Sequence, residues 1–280
     1  MNFFREFFKN FDCKSEIYTF VVNFTLQNLR YNKVMLRLLY DSFLGMLAPR
    51  KCLACESLIP ENYSHGSGGL AEYICGRCFD RLPPAPHPHD ILSGVAKNFQ
   101  GDTLAIHSLA ARFQRAERIG SDSSSITPLL YALKYHGMQR LGRLLGQELG
   151  HLLLVLGANA YDAIIPVPIH SARERERGYN QSKHIADGIA DILYLPVETR
   201  WIRRHTYTLS QTNFSREERK QNVHRAFMIG KAKDAGAQIK GSSVLLVDDI
   251  LTTGATLNAC AMTLLELGAR RVDAATVAKA

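Results

Sequence analysis

The segment Val244-Leu245-Leu246-Val247-Asp248-Asp249-Ile250-Leu251-Thr252-Thr253-Gly254-Ala255-Thr256 constrains the fold of this chain more than any other stretch. Four apolar residues run into two adjacent carboxylates and then into a small, hydroxyl-rich turn. The apolar run, Ser243 to Val247, reads as a buried strand that ends in the two acids. From Thr256 to Leu267 the apolar spacing is helical. Strand, glycine-bearing turn and helix in that order belong to an α/β architecture, where ligands sit beyond the carboxyl ends of the strands. Like charges repel and a buried unpaired acid is costly, so the two carboxylates call for a use. Backbone N–H groups at a helix N-terminus point at an anion, and the helix dipole adds to the attraction. Threonine hydroxyls supply further donors, and Gly254 lets the backbone approach closely. The acids would repel that anion and suit hydroxyl donors instead, such as two vicinal ribose hydroxyls. The unit therefore reads as a ribose-phosphate site. The alternative is an ordinary strand–turn–helix joint with acids at the strand end. Neither a P-loop nor a dinucleotide-binding glycine fingerprint occurs in the chain.

The rest of the chain divides into four parts. Residues 1–34 form an extension with Phe4, Phe7, Phe8 and Phe11 at helical spacing. It is either an interfacial or partner-docking helix or the product of an over-extended start, because Met35 opens a second N-terminus. Residues 35–82 hold an amphipathic helix, with Leu36, Leu39, Phe43 and Leu47 recurring until Pro49, and then a cysteine module. The run Leu82 to His89 has the composition of a stiff, extended linker, which places a Pro-rich linker over 83–100. Residues 101–280 alternate strand-like and helix-like segments, so a largely parallel sheet flanked by helices is expected there. Its elements read as a weak strand over 104–109, two helices within 128–155 joined near His136-Gly137, and a short strand over 163–167. A helix over 179–193, the strand and helix of the acidic segment, and a closing strand over 271–277 complete it. Ser108 to Ser125 is polar and reads as a loop insertion near the site.

Cys52, Cys55, Cys75 and Cys78 form the pattern C-x2-C-x19-C-x2-C. Each knuckle aims two thiolates at one point, and two knuckles complete a tetrahedral sulfur site for zinc. Redox dithiols and chance spacing are the competing readings, although a redox motif needs only one pair. Four protein ligands leave no open position, so the zinc is expected to be structural. Cys260, within an apolar helix, reads as a small core residue, and Cys13 has no partner at ligand spacing.

The net charge of +8 favours polyanions or phosphorylated ligands, or is simply the charge of a soluble basic protein. No stretch reaches the roughly 18 continuous apolar residues that span a bilayer. Arg5, Glu6, Lys9, Asn10 and Asp12 interrupt any secretory-signal core, so the expected compartment is the cytoplasm.

VLLVDDILTTGAT closely resembles the phosphoribosyl pyrophosphate (PRPP) loop of type I phosphoribosyltransferases. The resemblance continues at ALKYHG (Ala132 to Gly137), at Ile165-Pro166-Val167-Pro168, at RERERGYNQS (Arg173 to Ser182) and at QTNFSREERKQNVHRAF (Gln211 to Phe227). With the upstream cysteine pairs, this order resembles the ComF family from about Met35 to the C-terminus. The resemblance implies a type I phosphoribosyltransferase-like sheet with a small N-terminal zinc module held by four cysteines. It implies that Asp248 and Asp249 hold ribose hydroxyls, that Thr252, Thr253, Gly254, Ala255 and Thr256 wrap the 5′-phosphate, and that magnesium accompanies PRPP. Arg173, Arg175 and Arg177, in place of the pyrophosphate loop, are candidate diphosphate contacts, or else a self-paired solvated face with Glu174 and Glu176. Lys134 is a further candidate, or an exposed helical lysine.

At the level of process, the resemblance implies a role in competence and DNA uptake, with single-stranded DNA and DNA-processing proteins as partners. The alternative it leaves open is an active phosphoribosyltransferase in nucleotide metabolism or salvage, with an unidentified acceptor. The stretch Trp201-Ile202-Arg203-Arg204-His205-Thr206-Tyr207 mixes aromatic and basic side chains as a base-stacking surface would, or as a solvated face would.

Overall fold

The computed structural model describes residues 50–60, 68–99, 102–115, 125–157, 161–205, 226–231 and 234–280. The Phe-rich extension, the helix expected after Met35, Cys13, Thr206, Tyr207 and most of the stretch from Gln211 to Phe227 lie outside these residues. After a 3-10 helix at Gly68–Glu72 come helices Gly76–Asp80 (α1) and Pro88–Ala96 (α2), a second 3-10 helix at Lys97–Phe99, and then strand Leu109–Gln114 (β1). Helices Thr127–Tyr135 (α3) and Gln139–Val155 (α4) lead to strand Ala163–Pro166 (β2) and helices Ser171–Arg177 (α5) and Gln181–Leu193 (α6). The short strands Ile202–Arg204 (β3) and Phe227–Ile229 (β4) and helix Ala235–Ile239 (α7) follow. The chain ends with strand Ser243–Leu251 (β5), helix Ala255–Glu266 (α8) and strand Arg271–Lys279 (β6).

The main sheet has the order β1-β6-β5-β2, and every neighbouring pair is parallel. Strands β3 and β4 form a separate antiparallel pair. Alternation along β5 builds two cores at once, as the pleat requires. Leu245 and Val247 face a layer that contains α3, α4 and α6, whereas Val244 and Leu246 face one that contains α2, α7 and α8. All four are fully buried, which is why this strand reads as an unbroken apolar run. The expected α/β sheet flanked by helices is thus the observed fold.

Four local expectations change. The strand does not stop at the acids: Asp248 pairs with Thr276 and Leu251 with Lys279, so β5 carries both carboxylates within its ladder. The first strand lies at 109–114 rather than 104–109, because Asn258 captures the earlier segment. Its Oδ1 accepts from Ala105 N at 2.7 Å and its Nδ2 donates to the Thr103 carbonyl at 3.0 Å. The third change concerns the stretch read as a linker over 83–100. Gln114 N donates to the Pro83 carbonyl and Ala85 N to that of Arg112, which ties residues 83–85 to the free edge of β1. His87 then caps α2, Pro88 occupies its first turn, and Ile91 and Val95 are buried against the sheet. Strand β6, expected to close the sheet, lies inside it between β1 and β5.

Helices α4 and α6 pack backbone to backbone. A Cβ at Gly146 would stand 2.1 Å from the Ile185 carbonyl oxygen, and one at Gly188 would stand 1.9 Å from that of Arg143. Arg143 clamps the same contact by a two-pronged pair with Asp191. This contact fixes α6, whose first turn reaches the acidic end of β5.

Candidate functional site

Asp248 and Asp249 point to opposite sides of β5, so each meets a different set of neighbours. Asp249 is 3% exposed, and its Oδ2 lies 2.5 Å from the Nζ of Lys134 near the end of α3. Lys134 is therefore not a solvated helical lysine but the counter-charge of a buried acid. Asp248 accepts from the Ser182 hydroxyl at 2.8 Å and from the Asp249 backbone N–H at 2.9 Å. Burial pushes the Asp248 pKa up to about 7, the adjacent Asp249 charge pushes the same way, and the Ser182 hydrogen bond opposes both. A carboxylate with that affinity for protons is poised to accept hydrogen bonds from hydroxyls or to meet a cation.

The turn that follows is built for close approach. Gly254 has φ +83°, in the left-handed region that disfavours side chains, and a Cβ there would stand 2.7 Å from Val95 Cγ1. Asn98 Nδ2 donates to the Thr253 carbonyl at 3.3 Å, so the turn after α2 braces this loop from outside. Gly254 is the N-cap of α8 and has no side chain of its own to cap that end, although Thr253 Oγ1 accepts from Ala255 N at 3.4 Å. The leading N–H groups of α8 lie at a helix N-terminus with the Thr252, Thr253 and Thr256 hydroxyls nearby in sequence, donors of the kind that can hold an anion. Donors for an anion and acceptors for hydroxyls thus occur within one strand–turn–helix unit.

Opposite this unit, the segment after Pro168 forms α5 and turns into α6 through Gly178 at φ +80°. Asn180 braces the turn twice, donating to the Val167 carbonyl at 3.0 Å and accepting from Ser182 N at 3.0 Å as the cap of α6. Arg173 and Arg175 are exposed on α5, and among the described residues no ion pair joins the arginines and glutamates of this helix. Arg177 instead lies 5.4 Å from the Tyr135 ring centroid and donates to Gln181 Oε1 at 3.1 Å. Burial and the Arg173 charge both lower the Arg204 pKa, while Asp248 opposes them. Strand β3 thereby brings a cation within electrostatic reach of both Arg173 and Asp248.

The four cysteines of the paired knuckles converge, with all sulfur atoms within 4.8 Å of one another. Cys55 and Cys75 Sγ are 3.8 Å apart, close to the sulfur–sulfur edge of about 3.8 Å that a tetrahedron of about 2.3 Å metal–thiolate bonds requires. Burial pushes the Cys75 and Cys78 thiols up, whereas hydrogen bonding to Ser57 lowers that of Cys55 to about 6. Four soft donors at this spacing could hold a metal ion. The module is continuous with the sheet core, because Cys52, Ile59, Leu70, Ile74 and Cys78 share one apolar cluster with Leu141, Leu145 and Leu149 of α4. Cys260 is fully buried in the opposite core layer, as its sequence context implies.

Ser182, Asn180 and Arg204 were not among the site residues inferred from sequence. Ser182 and Asn180 belong to the RGYNQS motif, so a signal was present, but only the fold brings the hydroxyl to Asp248. Arg204 lay in a stretch read for base stacking and gave no sign of its proximity to Asp248.

Residues 183–280 match the family model for the phosphoribosyl transferase domain. Competence protein F of Haemophilus influenzae is 34% identical over 42% of this chain and 51% of that protein, so the match spans only half of that relative. The DNA utilization protein YhgH of Escherichia coli K12 is 26% identical over 80% of this chain and 82% of its own length. Competence protein ComFC of Bacillus subtilis is 30% identical over 78% of this chain and 89% of its own length. The glutamine PRPP amidotransferase structure from B. subtilis aligns at TM-score 0.36 and 20% identity, over 52% of this chain and 30% of that one. Among the described residues, no helix is long and apolar enough to cross a membrane.

Proposed function

The chain belongs to the ComF family of competence proteins, and from that premise we propose that it binds PRPP with magnesium at the end of β5 and acts in the handling of incoming single-stranded DNA. One observation carries the ligand assignment: two carboxylates near the carboxyl end of a central strand are followed within a few residues by a helix N-terminus whose N-cap is a glycine. The ribose hydroxyls donate to Asp248 and Asp249, and the 5′-phosphate sits against the turn Thr252, Thr253, Gly254, Ala255 and Thr256. Asp249 exchanges its contact with Lys134 for one with the ligand, which frees the ammonium group for an anionic oxygen. Arg173, Arg175 and Arg177 follow β2 on the facing segment and are the candidate diphosphate contacts. Magnesium supplies neutralisation of the diphosphate charge when bound, while the protein positions the sugar. The DNA-handling part rests on what the relatives are named for, competence and DNA utilization.

Zinc in the Cys52, Cys55, Cys75 and Cys78 cluster completes the proposal as a structural metal with no open coordination position. The test is calorimetric titration of the full chain with PRPP, with and without magnesium, for the native protein and Asp249→Ala. Magnesium-dependent binding that the substitution weakens by about tenfold or more is the expected result. No binding at millimolar PRPP, or equal binding by the variant, would overturn the assignment.

A further inference from the structure

Helix α3 carries more than the lysine that pairs with Asp249. Its buried face is Leu129, Leu130, Ala132 and Leu133, and the Tyr179 hydroxyl donates to the Leu133 carbonyl, so the helix is held firmly from below. On the opposite face, Tyr131 and Tyr135 stand one turn apart and remain 55% and 58% exposed. Their ring centroids are 4.7 Å apart, and the His136 ring meets Tyr131 edge-on at 5.4 Å. Tyrosines this exposed and this close form an apolar patch that a folded protein does not need for its own core.

The charge beside this patch comes from Arg177, which is also one of the candidate diphosphate contacts. Arg177 rests on the Tyr135 face and is steadied by the Gln181 side-chain oxygen, and it has no carboxylate partner among the described residues. A guanidinium held by an aromatic face and a neutral amide keeps its full charge available to a phosphate. Rigid exposed aromatics next to an uncompensated arginine are the two elements by which proteins hold single-stranded nucleic acid: bases stack and the backbone is neutralised.

We propose that Tyr131 and Tyr135 form a stacking platform for unpaired bases of a single-stranded nucleic acid, with Arg177 contacting the adjoining phosphate. This rests on the DNA-handling reading above and gives it a surface. Magnitude favours a strand over a free base. Stacking is worth about 5- to 150-fold in affinity per base, and an open two-ring platform offers little else, so a lone base would dissociate at millimolar concentration or weaker. A strand adds its phosphates and further bases to the same surface. Because Lys134 lies between the two tyrosines in sequence and contacts Asp249, a strand seated here lies directly beside the candidate PRPP site.

The experiment is fluorescence anisotropy of a labelled oligothymidylate titrated with the full chain. It compares the native protein, Tyr131→Ala/Tyr135→Ala and Tyr131→Phe/Tyr135→Phe, with PRPP titrations in parallel. The expected result is that the double alanine variant loses about tenfold or more in affinity for the strand while binding PRPP normally, and that the phenylalanine variant retains most of it. An abasic strand should bind the native protein as weakly as the alanine variant binds the intact one. Equal strand binding by native and alanine proteins overturns the platform and leaves DNA handling intact. Failure of the native protein to bind any strand overturns the DNA-handling reading itself, whatever the PRPP titration gives. Displacement of the strand by submillimolar free base would overturn the strand in favour of a small-base site. Should the alanine variant misfold, photocrosslinking of a 5-iododeoxyuridine strand to the native chain decides, and crosslinks that avoid Tyr131 and Tyr135 refute the proposal.

Discussion

The affinity for PRPP should depend on the proton held by Asp248. Its pKa stands near 7 because the carboxylate is buried beside Asp249, and only the ionised form accepts a ribose hydroxyl while tolerating a bound cation. With that value, about one carboxyl in ten is ionised at pH 6 and about nine in ten at pH 8. Apparent affinity scales with the competent fraction, so binding should strengthen about tenfold across that interval, or about 1.4 kcal/mol. The stability of the free protein should move the other way. A carboxyl whose folded pKa is raised stabilises the fold fully below the ordinary carboxylate range and loses that contribution as pH rises through about 7. The loss is at most about 4 kcal/mol. Calorimetric titration between pH 6 and 8, in two buffers of different ionisation heat, reads both the affinity and the proton released. Ligand phosphate itself titrates near pH 6. Asp248→Asn isolates the protein's share, because it should bind weakly with a flatter pH profile and should melt higher than the native protein at pH 8. The same pH slope in the native protein and in Asp248→Asn would refute the reasoning.

Two further outcomes follow from the scaffold. Freshly purified protein should contain one zinc per chain by elemental analysis; Cys75→Ser should lose it and with it several kcal/mol of stability, because the cluster's core is continuous with that under α4. A metal content near zero, or an unchanged denaturation midpoint in the variant, would rule out that role. Gly146→Ala places a Cβ against the Ile185 carbonyl, a backbone clash that no rotamer relieves, so it should cost about 1–3 kcal/mol in urea unfolding. It should also weaken PRPP binding, since α6 carries Ser182 to Asp248; a fully stable variant would show that the α4–α6 contact yields easily.

The acidic loop was legible because its signals are local. The unbroken apolar run, the paired acids and Gly254 each obey a rule that acts over a few residues, and the cysteine knuckles obey another. The helix break at His136-Gly137 is of the same kind, and α3 and α4 do part there. What failed depended on partners distant in sequence. Residues 83–100 look like a linker until β1 offers an edge for 83–85 and the sheet offers a face for Ile91 and Val95. Residues 104–109 look like a strand until Asn258 takes the backbone groups of Thr103 and Ala105.

By itself, then, the sequence determined the α/β class, the strand–turn–helix unit and the convergence of four thiols, because periodicity and spacing act through the chain's own covalent geometry. Only the tertiary structure decided that Lys134 answers Asp249, that Ser182 answers Asp248 and that two tyrosines face solvent beside Arg177. Those pairings join α3, β5 and α6 across many residues of intervening chain. They exist because close packing on a twisted sheet fixes which helix faces meet, a choice no local pattern encodes.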